Sequence, residues 1–159
     1  MESFTLRDAV AADVLAIQRI AGECSLETWS STAYLQELGI ADSHVIVAST
    51  RDGEAFAFIA GRIVPGVGDG LPDAEIYNIG VANRSRRSGV ATALLALFFD
   101  RCRRRNVGTV WLEVRASNAG AIAFYEESGF RSVGVRKGFY RTPSDDAVLM
   151  RLGLNESGR

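Results

Sequence analysis

The stretch Ile76-Tyr77-Asn78-Ile79-Gly80-Val81-Ala82-Asn83-Arg84-Ser85-Arg86-Arg87-Ser88-Gly89-Val90-Ala91-Thr92 runs from an apolar segment through a basic turn into the start of an amphipathic one. The pattern up to Val81 predicts a strand over Ala74–Val81. Downstream, Val90, Leu94, Leu97, Phe98 and Cys102 recur at helical spacing and predict a helix from about Gly89 to Arg105 with one buried face. A helix start leaves backbone N–H groups without partners and carries partial positive charge. Ser88, Gly89 and Ala91 are small enough for a bulky anion to approach that backbone, and Arg86 and Arg87 add full charges beside it. The segment suits a pyrophosphate. On spacing alone, an ordinary strand-to-helix turn with solvated arginines is an equally good reading.

Working outward, the chain before this stretch predicts a short strand at Phe4–Arg7 and a helix capped by Asp13 with Val14, Ile17, Ile20 and Ala21 inward. A second helix starts near Ser30 or Ser31 and carries Tyr34, Leu35 and Leu38. Strands follow at His44–Ser49 and Ala55–Val64, joined by Arg51-Asp52-Gly53-Glu54 with its Asp-Gly turn signal. Pro65–Asp73, rich in Pro and Gly, reads as a loop, and not as a phosphate cradle, because its glycines lead into a strand rather than a helix. After the long helix come a strand at Val107–Val114 and a helix capped by Asn118 and stopped by Gly129. Strands at Arg131–Lys137 and Ala147–Leu152 end the pattern. This order predicts an α/β (α+β) fold with one mixed central sheet of about seven strands and about four helices, residues 1–159 forming a single domain.

Composition narrows the function. The 159 residues are 47% hydrophobic and 23% charged, a profile suited to a globular domain with its own core. A net charge of −1 predicts no nucleic-acid partner. No apolar run approaches the ~20 residues that span a bilayer, so no membrane association and a cytoplasmic location are expected. Cys24 and Cys102 are expected as reduced thiols, and Cys102, on the apolar helix face, as core. With His44 the only histidine, no metal site or histidine-based triad is expected. The run Arg101–Arg105 reads as a solvated helix end whose cations complement the C-terminal dipole.

Arg86-x-x-Gly89-x-Ala91 resembles the Q/R-x-x-G-x-G/A pyrophosphate loop of the GNAT superfamily of acetyl-CoA-dependent N-acetyltransferases, with alanine at the last position. The order of elements is also similar to that fold over nearly the whole chain. Leu112-Glu113-Val114-Arg115-Ala116-Ser117-Asn118, followed by Tyr125 and Gly129-Phe130, resembles the corresponding run of bacterial ribosomal-protein alanine N-acetyltransferases. The resemblance implies a direct acetyl transfer from acetyl-CoA to an N-terminal amine. It makes Glu113 the proton acceptor, Tyr125 the proton donor and Asn118 a coenzyme contact. Ile79, Gly80 and Val81 would pair with the pantetheine arm, and Arg86, Arg87, Ser88, Gly89, Val90 and Ala91 would hold the pyrophosphate. On the acceptor side, Trp29-Ser30 matches part of a Pro-Trp-Ser element with Thr28 at the proline position, and Tyr140 survives in a divergent C-terminal segment.

The chemistry requires such groups. An N-terminal ammonium, with an ordinary pKa near ~8, must lose a proton before it attacks a thioester, and the departing thiolate must gain one. Asn118 and Tyr125 are two helical turns apart and would share a face about 10 Å apart along the axis. Each residue keeps a bland alternative: Tyr125 as a core aromatic, Asn118 as a helix cap, Glu113 as an exposed or ion-paired strand residue. The acceptor could equally be a free small amine, and a coenzyme-binding or ribosome-associated module without turnover would share these motifs. A monomer or weak homodimer is expected.

Overall fold

The computed structural model describes residues 3–154. Seven strands, β1 (Thr5–Asp8), β2 (Ser43–Ser49), β3 (Ala55–Val64), β4 (Asp73–Val81), β5 (Thr109–Arg115), β6 (Arg131–Arg141) and β7 (Ser144–Gly153), form one sheet in the order β1-β2-β3-β4-β5-β7-β6. Four α-helices, α1 (Val14–Glu23), α2 (Ser31–Leu38), α3 (Val90–Arg104) and α4 (Ala119–Glu127), accompany it. The sheet is mixed: β4 and β5 run parallel, as the connection through α3 requires, and β1–β2, β2–β3, β5–β7 and β6–β7 are antiparallel. Among the described residues, no helix is long and apolar enough to cross a membrane.

The described residues divide into two compact units, one of residues 3–63 and 77–101, the other of residues 64–76 and 102–154, so β4 contributes to both. In the first unit, Val45–Ala48 of β2 and Ala55–Ala60 of β3 are buried without interruption, which is why both strands read as continuous apolar runs rather than alternating ones. Val14, Ile17, Ile20 and Ala21 of α1 and Leu94, Leu95 and Phe98 of α3 are buried at helical spacing. In the second unit, β5 alternates buried Val110, Leu112 and Val114 with half-buried Trp111, Glu113 and Arg115. The β4–β5 ladder runs from Asp73 opposite Thr109 to Ile76 opposite Leu112 and ends there, whereas the β5–β7 ladder continues through Glu113, Val114 and Arg115.

Several local expectations are corrected. Asp13 does not cap α1; its carboxylate accepts from the Val10 N–H at 2.8 Å and binds Arg7 through both oxygens, closing the short turn Ala11–Asp13 instead. Helix α2 is capped by Ser30, whose hydroxyl accepts from the Ala33 N–H, and its buried residues are Tyr34 and Glu37 while Leu35 is exposed. Glu37 is tolerated inside because Arg62 grips both its oxygens. Arg101 turns back from the basic run to bind Asp8 at 2.6 Å, so the run is not uniformly solvated. Strands β6 and β7 extend to a two-residue turn at Thr142-Pro143, longer than their apolar patterns suggest, because that hairpin is held by hydrogen bonds rather than burial.

Gly80 of β4 is tightly packed within the first unit. A methyl group there would stand 2.8 Å from Phe58 and 3.1 Å from Ile20, two fully buried side chains that cannot yield. Gly80→Ala should therefore lower unfolding stability by about 1–3 kcal/mol in urea titrations, with an unchanged slope.

Candidate active site

The first unit supplies a helix start. Between β4 and α3 the backbone makes a short turn at Asn83–Ser85, then passes through two residues of positive φ, Arg87 at 65° and Gly89 at 82°. This turns the chain so that α3 begins at Val90, with the Ala93 N–H already bonded to the Gly89 carbonyl. The N–H groups of the first helical turn are left for an outside acceptor. A methyl on Gly89 would meet no atom within 4 Å, so the space beside these amides is open to a bulky anion. Ser88 points its hydroxyl back to the Ser85 carbonyl at 2.6 Å, bracing the loop. The residues thus fit a pyrophosphate group by geometry as well as by charge.

The loop arginines differ in employment. Arg84 lies 3.7 Å from Glu54. Arg86 folds inward onto the Val81 and Glu23 carbonyls, at 3.3 and 3.2 Å. Among the described residues, Arg87 has no ion-pair partner and is exposed. In the same unit, Trp29 stacks near Tyr34 and meets Tyr77 of β4 edge-on, with ring centroids 5.1 and 5.4 Å apart. Gln18 holds this segment by donating to the Trp29 carbonyl. Tyr77 was not singled out from the sequence; its one signal was an aromatic residue inside a strand that otherwise presents aliphatic ones. Ile79 and Val81 are half-buried and Gly80 is buried.

The second unit holds the two titratable candidates. Asn118 caps α4, its Oδ1 accepting from the Ala121 N–H at 3.1 Å. Gly129, at φ 107°, ends the helix, and the Phe130 N–H returns to the Tyr125 carbonyl. That stop folds Phe130 against Tyr125, edge-on at 5.7 Å, and leaves Tyr125 8% exposed. Burial, with the Tyr140 phenol adding a smaller effect, pushes the Tyr125 hydroxyl well above the usual phenol range, so it keeps its proton throughout the neutral region. On β5, Glu113 Oε2 is shut off from water and lies 3.0 Å from Arg136 Nε. The two groups are close enough to attract but not aligned for a hydrogen bond, so the carboxylate retains an unfilled acceptor.

Tyr140 is held in this unit by Arg115, whose guanidinium lies 4.2 Å from the ring centroid and donates to the Pro143 and Thr142 carbonyls. Asp145 ties the same hairpin to the end of β5, accepting from both the hydroxyl (2.6 Å) and the N–H (3.2 Å) of Ser117. Sequence reading missed Arg115 and Asp145 in these roles, because both act across the hairpin on groups distant in the chain. Cys102 is a core residue whose thiol burial pushes up to about 12.

The family model described as Acetyltransferase (GNAT) family matches residues 14–130. The chain belongs to the GNAT acetyltransferase family. This GNAT chain is 32% identical over 153 residues to the [Ribosomal protein bS18]-alanine N-acetyltransferase of Escherichia coli strain K12, covering 95% of the chain and 98% of that protein. It is 32% identical over 150 residues to the N-alpha-acetyltransferase RimI of Mycobacterium tuberculosis strain H37Rv, covering 94% and 89%. Its fold matches the crystal structure of the ribosomal-protein-S18-alanine N-acetyltransferase from Escherichia coli with a TM-score of 0.79 at 31% identity, over 95% and 94% of the two chains. The seven-stranded mixed sheet with four helices is therefore the GNAT fold. The enzyme is an N-acetyltransferase of that family.

The Ser117–Asp145 link has a pH signature. Asp145 is held below the usual carboxylate range first by the Ser117 hydroxyl, against an opposing effect of burial and with help from the Ser117 and Asp146 N–H groups and Arg115. A depressed folded value means the contribution is complete above the ordinary carboxylate range and is lost as pH falls through the lowered one. Unfolding stability of the parent should decline on acidification through that window, and Ser117→Ala should make the decline shallower in the same titration.

Proposed function

We propose that this GNAT acetyltransferase acetylates the N-terminal α-amine of a protein, with an alanine-starting ribosomal protein as the favoured acceptor. The observation that carries the reading is the near-full-length likeness to relatives whose names specify N-terminal acetylation, one of them on a ribosomal-protein alanine. The family match crosses both compact units without a break, which supports residues 1–159 working as one catalytic domain.

In this reading the first-turn amides of α3, with Arg87, Ser88, Gly89, Val90 and Ala91, hold the pyrophosphate, and Ile79, Gly80 and Val81 present backbone groups to the pantetheine arm. Glu113, directly or through water, takes a proton from the incoming ammonium. The shielded, unfilled Oε2 supports that role, because a cationic donor satisfies it better than the misaligned Arg136 does. The freed amine forms the new C–N bond as the C–S bond breaks. Tyr125 gives its proton to the departing sulfur, a donor role that fits a phenol kept protonated by burial. Asn118 caps α4 and so sets the height of Tyr125 on the helix, besides offering its amide nitrogen to the coenzyme. Trp29 and Tyr140 are the acceptor-binding aromatics.

Thiol release from acetyl-CoA, measured with an alanine-starting ribosomal peptide, mixed N-terminal peptides and a panel of free amines, tests the acceptor. Turnover confined to the free amines would overturn the reading. Tyr125→Phe should lower kcat by about 10²–10⁴-fold while changing coenzyme affinity by no more than about twofold. A variant as active as the parent would remove Tyr125 as the acid.

A further inference from the structure

The end of α1 and the end of β4 are fastened together by one guanidinium. Arg86 Nε donates to the Val81 carbonyl at 3.3 Å, and its terminal nitrogen reaches both the Glu23 carbonyl at 3.2 Å and the Cys24 sulfur at 3.4 Å. Cys24 closes the triangle by donating to the same Val81 carbonyl at 3.3 Å. A second strut runs beside it, with the Glu23 carboxylate accepting from the Asn83 N–H at 2.9 Å. The Glu23 carbonyl belongs to the last residue of α1, where carbonyls lack helical partners and a cation is favoured. The side chain of Arg86 is therefore occupied with carbonyl oxygens of its own chain, at the cost of pointing its charge at an outside anion.

What lies beyond Cys24 gives the clasp its consequence. Leu26 packs over β4 at Gly80, where an added methyl would stand 3.4 Å from it, and three residues on Trp29 meets Tyr77 of the same strand. Residues 24–30 are thus laid along β4 between two fixed points, the clasp at one end and the aromatic contact at the other. We propose that Arg86 is a positioning residue for the acceptor-binding segment 24–30, acting through the Val81 and Glu23 carbonyls, and not a ligand of the pyrophosphate. The pyrophosphate contact then falls to the first-turn amides of α3 and to Arg87. The acceptor half of this inference rests on the N-terminal-amine reading above; the assignment of the guanidinium to the clasp does not.

Arg86→Gln and Arg86→Lys in the full chain separate the two roles. Coenzyme A affinity is measured by calorimetry, and steady-state kinetics are run with acetyl-CoA and with S-acetylpantetheine, which lacks the pyrophosphate. The clasp predicts coenzyme A affinity within about threefold of the parent and a rise of about tenfold in KM for the peptide acceptor, the scale of losing hydrogen bonds from a charged donor. The loss should be the same with either acetyl donor. Lysine should not restore it, since one ammonium cannot span both carbonyls. A fall of tenfold or more in coenzyme A affinity, with parent-like activity on S-acetylpantetheine, would make Arg86 a direct pyrophosphate ligand and overturn the proposal. If the parent acetylates only free amines, the acceptor reading fails, while the coenzyme A affinity of the variants still decides where the guanidinium acts. Should the Arg86 variants not fold, Glu23→Ala removes the second strut and is expected to give the same pattern of retained coenzyme affinity and raised acceptor KM; lost coenzyme affinity there would count against the clasp.

Discussion

A helix cannot satisfy the N–H groups of its own first turn, and the β4–α3 connection is built around that fact. Two positive-φ residues, Arg87 and Gly89, bring the chain off β4 and into α3 within a few residues, and the space beside Gly89 stays open. Holding Arg87 in the left-handed region costs about 1 kcal/mol or more, since only glycine enters it freely. Ser88 and Arg86 brace the loop from behind through the Ser85 and Val81 carbonyls, which offsets that strain and fixes the direction of the amides. Charge on this loop is thus divided. The first-turn backbone dipoles lie beside open space, whereas Arg86 holds the scaffold and Arg87 is exposed.

The second unit applies a similar economy to its hairpin. Strand β6 has no buried residue, so burial cannot hold it. Its attachment comes from the ladder to β7, the Arg115 bonds to the Thr142 and Pro143 carbonyls, and the Ser117–Asp145 link. These polar ties set Tyr140 under a guanidinium and within electrostatic reach of Tyr125. They lie at the surface, where solvent screens each of them. The placement of Tyr140 consequently rests on ties that include a carboxylate acid would weaken.

Much of this was legible in the chain itself. The buried faces of α1 and α3, the hairpin turn at Gly53, the cap at Asn118 and the stop at Gly129 are local: each is decided by residues within one or two turns of each other. The turn from β4 into α3 was legible for the same reason. What escaped was long-range. Asp13 had the position of a cap but was claimed by Arg7, six residues earlier, and Leu35 had helical spacing but faced outward because Glu37 was drawn in by Arg62 on β3. Arg86 carried a charge that the motif assigned to phosphate, and nothing in the local pattern announced the Glu23 carbonyl sixty-three residues away. Polar side chains choose partners by three-dimensional proximity, and periodicity carries no information about that choice.

The two cysteines bear on how the acetyl group moves. A relay through an acetylated thiol would need a thiolate, which is the nucleophilic form. Cys102 is fully buried, and burial pushes its thiol up to about 12, leaving almost none ionised near neutrality. Cys24 is half-buried, donating to the Val81 carbonyl and accepting from Arg86. Both sulfurs thus serve packing and the clasp. This fits the direct transfer from coenzyme to amine proposed above, with Glu113 and Tyr125 as its proposed proton carriers.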